Sequence, residues 1–141
     1  MKRILFILLI VVLVGVGALT SSVAQEVVKG KVIAYYFHGT FRCPTCRKLE
    51  QYSKEAIEAN FKDALVFGKL EFKVVNLEDK GNEHYAADYQ LYTKSLILSL
   101  VKDGREIKWK NMDKIWEYVG NKEIFIDYVK REVADLLKEA K

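Results

Sequence analysis

Between Lys31 and His38 (KVIAYYFH) the chain runs through β-branched and aromatic residues with hardly a polar break. That is the length and composition of a buried strand, closed by Gly39 and Thr40. From Pro44 to about Phe61 the pattern changes period: Leu49, Tyr52, Ala56, Ile57 and Phe61 recur at helical spacing, and a proline at the first helical position lacks only an N–H that would have been an orphan there. Glu71 to Leu77 (EFKVVNL) alternates and then turns apolar, as a second strand does. Asn82 to Tyr89 reads as a short helix and Leu96 to Val101 (LILSLV) as a third strand. Lys102-Asp103-Gly104-Arg105 carries the Asp-Gly hairpin signal, and Glu106 to Lys110 returns as a fourth strand. Asn111 and Asn121 are natural caps for helices over Met112 to Val119 and Lys122 to Glu139, separated by Gly120. In the last of these Phe125, Val129, Val133, Leu136 and Leu137 form one apolar stripe.

The order of elements has a topological consequence. A strand-helix-strand unit of this length predicts a parallel pair joined by a right-handed crossover, and the Asp-Gly hairpin adds two antiparallel strands. The fold class is therefore α/β, a mixed four-stranded sheet flanked by helices on both faces. In open sheets of this kind the site sits where a strand ends and the next helix begins, here between His38 and Pro44.

The amino-terminal segment follows a different pattern. Met1-Lys2-Arg3 is a basic start, Ile4 to Leu19 is almost wholly aliphatic, and Ser22-Val23-Ala24 puts small residues where a signal peptidase reads them. The reading is a signal peptide or membrane anchor over residues 1–24, with a cut before Gln25 if it is removed, followed by a single domain over 25–141. The domain is then exported, periplasmic or extracellular, with residues 4–19 as a possible membrane tether; Glu26 to Gly30 is a polar lead-in to the first strand. The absence of cysteine beside the cut argues against a lipid-modified terminus. Of 141 residues half are apolar and 30% charged, a globular balance. The 23 Lys and Arg against 19 Asp and Glu leave a net charge of +4, two of it from the leader, so the domain surface is nearly balanced and no nucleic-acid partner is implied.

The two cysteines exclude a disulfide-dense scaffold, and they fall together with the sole proline in Cys43-Pro44-Thr45-Cys46. Cys43 lies at or just before a helix N-terminus, where unpaired N–H groups and the helix dipole favour a thiolate. Bringing a thiol from about 8.5 to about 7 requires roughly 2 kcal/mol, and a helix end supplies about 0.3–1 kcal/mol. Arg42, Arg47 and Lys48 are the neighbouring cations available for the remainder. Cys46, one turn inward on the same side, is placed to attack a mixed disulfide formed at Cys43. A structural staple closing so short a loop contributes only about 2 kcal/mol before strain. Copper or zinc binding by the two sulfurs is the alternative reading, with His38 as a candidate ligand or proton-transfer residue and His84 as an exposed bystander. Tyr35, Tyr36, Phe37, Trp109 and Trp116 read as core aromatics, and Phe41, Tyr89 and Tyr92 as candidates for a rim beside the cysteines.

The aromatic strand, the CxxC pair opening a helix and the Lys102-Asp103-Gly104 turn together resemble the thioredoxin-like superfamily, over most of the stretch from Lys31 to the last helix. The resemblance implies a thiol-disulfide oxidoreductase with Cys43 as nucleophile and Cys46 as resolving thiol, tuned by Arg42, Pro44, Thr45 and Arg47, needing no cofactor or metal. Its partner would be a cysteine-containing protein substrate or redox partner. Three departures stand out. Where the family commonly has Trp before the first cysteine and Gly next to it, this chain has Phe41-Arg42 and then Pro44-Thr45, and Tyr36 or Phe37 lies where the family has a buried acid. Lys94-Ser95 occupies the place of its cis-proline. A non-proline cis bond costs about 2.5–4 kcal/mol, so Lys94-Ser95 is expected to be trans. The Ser95 hydroxyl is then expected to reach a cysteine sulfur.

Overall fold

A computed structural model of the chain describes residues 30–141. The expected signal or anchor lies outside the described residues. Among those described, no helix is long and apolar enough to cross a membrane.

The elements follow the order expected, with one addition: β1 (Gly30–His38), α1 (Pro44–Asn60), α2 (Lys62–Val66), β2 (Leu70–Asn76), α3 (His84–Asp88), β3 (Ser95–Lys102), β4 (Arg105–Asn111), α4 (Ile115–Tyr118) and α5 (Lys122–Glu139). The sheet order is β2-β1-β3-β4. β1 and β2 run parallel with Val32 opposite Leu70, β1 and β3 antiparallel with Ala34 opposite Leu98, and β3 and β4 antiparallel with Ser99 opposite Trp109. This is the mixed sheet of a thioredoxin-like fold. Asp103 and Gly104 both have positive φ, +50° and +75°, as a tight primed hairpin turn requires.

The alternation along β1 divides its side chains between two unequal layers. Val32, Ala34 and Tyr36, with Leu96, Leu98 and Leu100 of β3, face Leu49 and Ile57 of α1 and Phe125, Val129 and Val133 of α5. Burying such a set supplies roughly 1.5–3 kcal/mol per large side chain, which fixes α1 against the sheet. On the opposite face Phe37 and Ile97 pack with Tyr89, flanked by Tyr35, Tyr85 and Trp109, beneath the single short helix α3. Phe37 and Tyr85 centroids lie 5.2 Å apart, and Tyr89 meets Trp109 edge-on at 5.4 Å. Tyr36 and Phe37 are fully buried as expected.

Two local expectations change. The helix expected to run to Phe61 breaks there: the Phe61 N–H bonds Ile57 O while its carbonyl receives the Leu65 N–H, so one residue ends α1 and starts α2. Asn111 does not cap a helix but closes β4, and the Met112 N–H goes on to Leu96 O at 2.9 Å, which shortens α4 to one turn. Asn121 does cap α5, its Oδ1 accepting from the Ile124 N–H at 3.2 Å. The chain also closes on itself at Gly30, where a Cβ would sit 2.4 Å from the carbonyl oxygen of Ala140.

Because Phe125 fills the space between α1 and the sheet, meeting Tyr52 edge-on at 5.6 Å, Phe125→Ala is expected to lower unfolding stability by about 3–5 kcal/mol in urea titration. A loss below about 1 kcal/mol would contradict this account of the core.

Candidate active site at the start of the first helix

The turn leaving β1 is fastened to the turn leaving β2. The Leu77 N–H donates to His38 O at 2.8 Å, and Asn76 Nδ2 donates to Thr40 Oγ1 at 3.2 Å. Hydrogen bonds from the Thr40 hydroxyl and backbone also hold the Glu78 carboxyl below its ordinary range. From this anchored turn Cys43 enters as the N-cap of α1, with φ −72° and ψ 160°, and Pro44 occupies the first turn. The Cys43 sulfur accepts the Cys46 N–H at 3.1 Å, so one of the helix's orphan donors points at the sulfur itself. Cys43 and Cys46 form a disulfide with their Cα atoms 5.1 Å apart.

The two sulfurs differ in access. Cys43 is half-buried, whereas Cys46 is 2% exposed and belongs to the core. Beneath Cys46, the fully buried Tyr36 donates its hydroxyl to Cys46 O at 2.7 Å. Burial pushes the Tyr36 phenol up to about 12, against a smaller opposing pull from the nearby Arg42 charge. The phenol therefore stays protonated, and a donor, at any ordinary pH.

The residues singled out in the sequence fall into two groups. Pro44, Thr45, Arg47 and Lys48 lie exposed at the start of α1, beside the disulfide. Arg42, His38 and Ser95 do otherwise. Arg42 turns along α1 into an ion pair with Glu50, and its Nε is buried without a partner. His38 Nδ1 lies 2.9 Å from Gly39 O, so it carries the proton and donates, and its ring stacks near Tyr36 rather than meeting a sulfur. Extended backbone through residue 38 fixes that direction. The Ser95 hydroxyl donates to Thr93 O at 2.9 Å instead of to a cysteine. A serine hydroxyl that bonds a carbonyl two residues away has already spent its one donor. The Lys94-Ser95 bond is trans, since the described residues hold no cis peptide.

The aromatic assignments also divide. Phe41 and Tyr92 are 77% and 95% exposed, in the segments leading to Cys43 and to β3. Tyr89, expected at the rim, is buried in the second layer, its hydroxyl donating to Glu106 Oε2 at 2.7 Å. Trp116, expected in the core, is 37% exposed because its indole N–H reaches out to Lys94 O at 2.9 Å. His84 is exposed as expected and pairs with Asp88. Sequence reasoning missed Glu50 and the contact of Tyr36 with Cys46. Both had a signal: Tyr36 shares a face with Val32 and Ala34, and Glu50 lies one turn past Cys46 on the same side of α1. Among the described residues no cluster of three or more His, Cys, Asp or Glu side chains is spaced to hold a metal ion.

No protein-family model and no curated protein matches the chain. Solved structures that it resembles include a thioredoxin of Fasciola hepatica, 26% identical, with a match covering 65% of this chain and 81% of that one at a TM-score of 0.38. A mutant thioredoxin of Entamoeba histolytica is 21% identical over 72% of this chain and 81% of its own, with a TM-score of 0.39. A thioredoxin of Trypanosoma brucei brucei is 13% identical over 74% and 76%, with a TM-score of 0.40. At these scores the overlap carries no argument, and the fold rests on its own strand order and connections.

The raised Tyr36 phenol generates a prediction. A group that binds its proton more tightly when folded contributes stability that is complete below its unfolded value of about 10 and is lost as pH rises through its folded value. Stability is thus expected to fall between about pH 10 and about 12, with Tyr128, also pushed up to about 12, contributing. Tyr36→Phe should be about 1 kcal/mol less stable at neutral pH and show a shallower alkaline fall in urea midpoint. An unchanged alkaline slope would contradict the assignment.

Proposed function

We propose that this protein is a thiol-disulfide oxidoreductase of the cell envelope or exterior, acting through Cys43 and Cys46. The observation that carries the reading is the difference between the two sulfurs. Cys43 is reachable and receives a helix N-terminal N–H, while Cys46 is enclosed. In the reduced protein the Cys43 thiolate attacks a partner disulfide, forming a Cys43-partner S–S bond and expelling one partner thiolate. The Cys46 thiolate then attacks the Cys43 sulfur, forming the Cys43–Cys46 disulfide and releasing the second partner thiolate. Two electrons pass from the dithiol to the partner, and every bond broken is an S–S bond.

A cysteine-containing exported protein is the partner class this reading favours. Phe41, two residues before Cys43, and Tyr92, in the segment leading to β3, are exposed and give a polypeptide partner apolar surface to meet. The export half of the reading rests on the basic start, the aliphatic run from Ile4 to Leu19 and the small residues before Gln25.

Cys43→Ser is expected to abolish insulin disulfide reduction by the dithiothreitol-reduced protein, and Cys46→Ser to accumulate mixed disulfides that reducing agent dissolves. Full activity of the Cys43 variant would overturn the mechanism. For export, expression of the whole chain followed by fractionation and amino-terminal sequencing should give either a chain starting at Gln25 outside the cytoplasm or an intact chain in the membrane. Intact chain in the soluble cytoplasm would refute it.

A further inference from the structure

One polar cluster under the disulfide is not used by the exchange steps just described. Tyr36 projects from the middle of the sheet, is 0% exposed, and spends its only donor on the carbonyl of Cys46 at 2.7 Å. That carbonyl belongs to the first turn of α1, whose earliest backbone contacts are the bond from Cys46 N–H to the Cys43 sulfur and the bond from Arg47 N–H to Cys43 O. The first of these depends on Cys43 itself, and its geometry must change when Cys43 joins a partner. The bond from Tyr36 comes from the sheet and does not involve Cys43. The Arg42–Glu50 ion pair spans this turn, from the residue before Cys43 to one four residues beyond Cys46.

We propose that Tyr36 is a positioning residue for the resolving thiol. Its hydroxyl holds the Cys46 backbone against β1 while Cys43 is tied to a partner, and the Arg42–Glu50 pair holds the cluster closed. The proposal rests on the exchange reading above. The resolving step needs the Cys46 sulfur in line with a Cys43-partner bond, so its rate depends on how well the Cys46 turn keeps its place during the lifetime of the mixed disulfide. The first attack, made by the accessible Cys43 sulfur, has no such requirement.

The two steps can be timed separately. Reduced full-length protein mixed with one equivalent of dithiobis-nitrobenzoate releases one coloured thiolate when Cys43 attacks and a second when Cys46 resolves the mixed disulfide. In Tyr36→Phe the first phase is expected to keep its rate and the second to slow about five- to tenfold, the equivalent of one lost hydrogen bond. A merely stabilising bond would lower the melting temperature and leave both phases alone. Glu50→Gln, at a half-buried position outside the apolar core, tests the same cluster and should slow the second phase selectively, by a smaller factor. An unchanged second phase in both variants, or equal slowing of both phases, would overturn the proposal. A wild-type protein that released neither thiolate would instead refute the exchange reading on which it stands.

Discussion

The pairing of β1 on both of its edges is the constraint on which the rest of the structure depends. β1 is bonded to β2 along one side and to β3 along the other, from Val32 to His38 and from Gly30 to Phe37. A strand held that way cannot slip by one residue without turning its whole core set to the wrong face. Its end point is therefore fixed, and so are the turn after it and the first residue of α1. The disulfide is placed by that chain of consequences: a central strand, a turn tied to β2 by Thr40, Asn76 and Glu78, and a helix whose first turn opens with Cys43.

The two layers over the sheet then serve different ends. The α1 and α5 side is a continuous aliphatic and aromatic core, and it encloses Cys46. The α3 side is thinner and mostly aromatic, with polar bonds such as those of Tyr89 and Ser99 to Glu106 closing its edge. Enclosure of one cysteine by the thick layer, with its partner left at the surface, makes the pair asymmetric. Asymmetry is what sequential exchange needs, since one sulfur must meet the partner and the other must wait.

Much of this is legible in the sequence because it follows from period. The strand from Lys31 to His38, the Asp103-Gly104 hairpin and the apolar stripe of α5 declare themselves through alternation, turn chemistry and helical spacing. What escaped is decided by local competition. The break at Phe61 replaces one continuing helix bond with a cap shared between two helices, and Asn111 serves the β4 ladder instead of a helix end. Ser95 prefers a carbonyl two residues away to a sulfur. Arg42 stands beside Cys43 in the sequence, yet Glu50 draws its guanidinium along the helix. Proximity in sequence says which charges are near the site, but the direction each takes depends on which opposite charge the helix presents.

The central claim is that the Cys43–Cys46 bond is a working redox couple rather than a staple. Equilibration of the domain in dithiothreitol and glutathione buffers of graded potential, with thiol labelling at each point, tests it directly. The account predicts a single reversible two-electron transition within the range of about −270 to −120 mV spanned by exchange proteins. A disulfide that stays oxidised to below about −300 mV, as structural disulfides do, would contradict it.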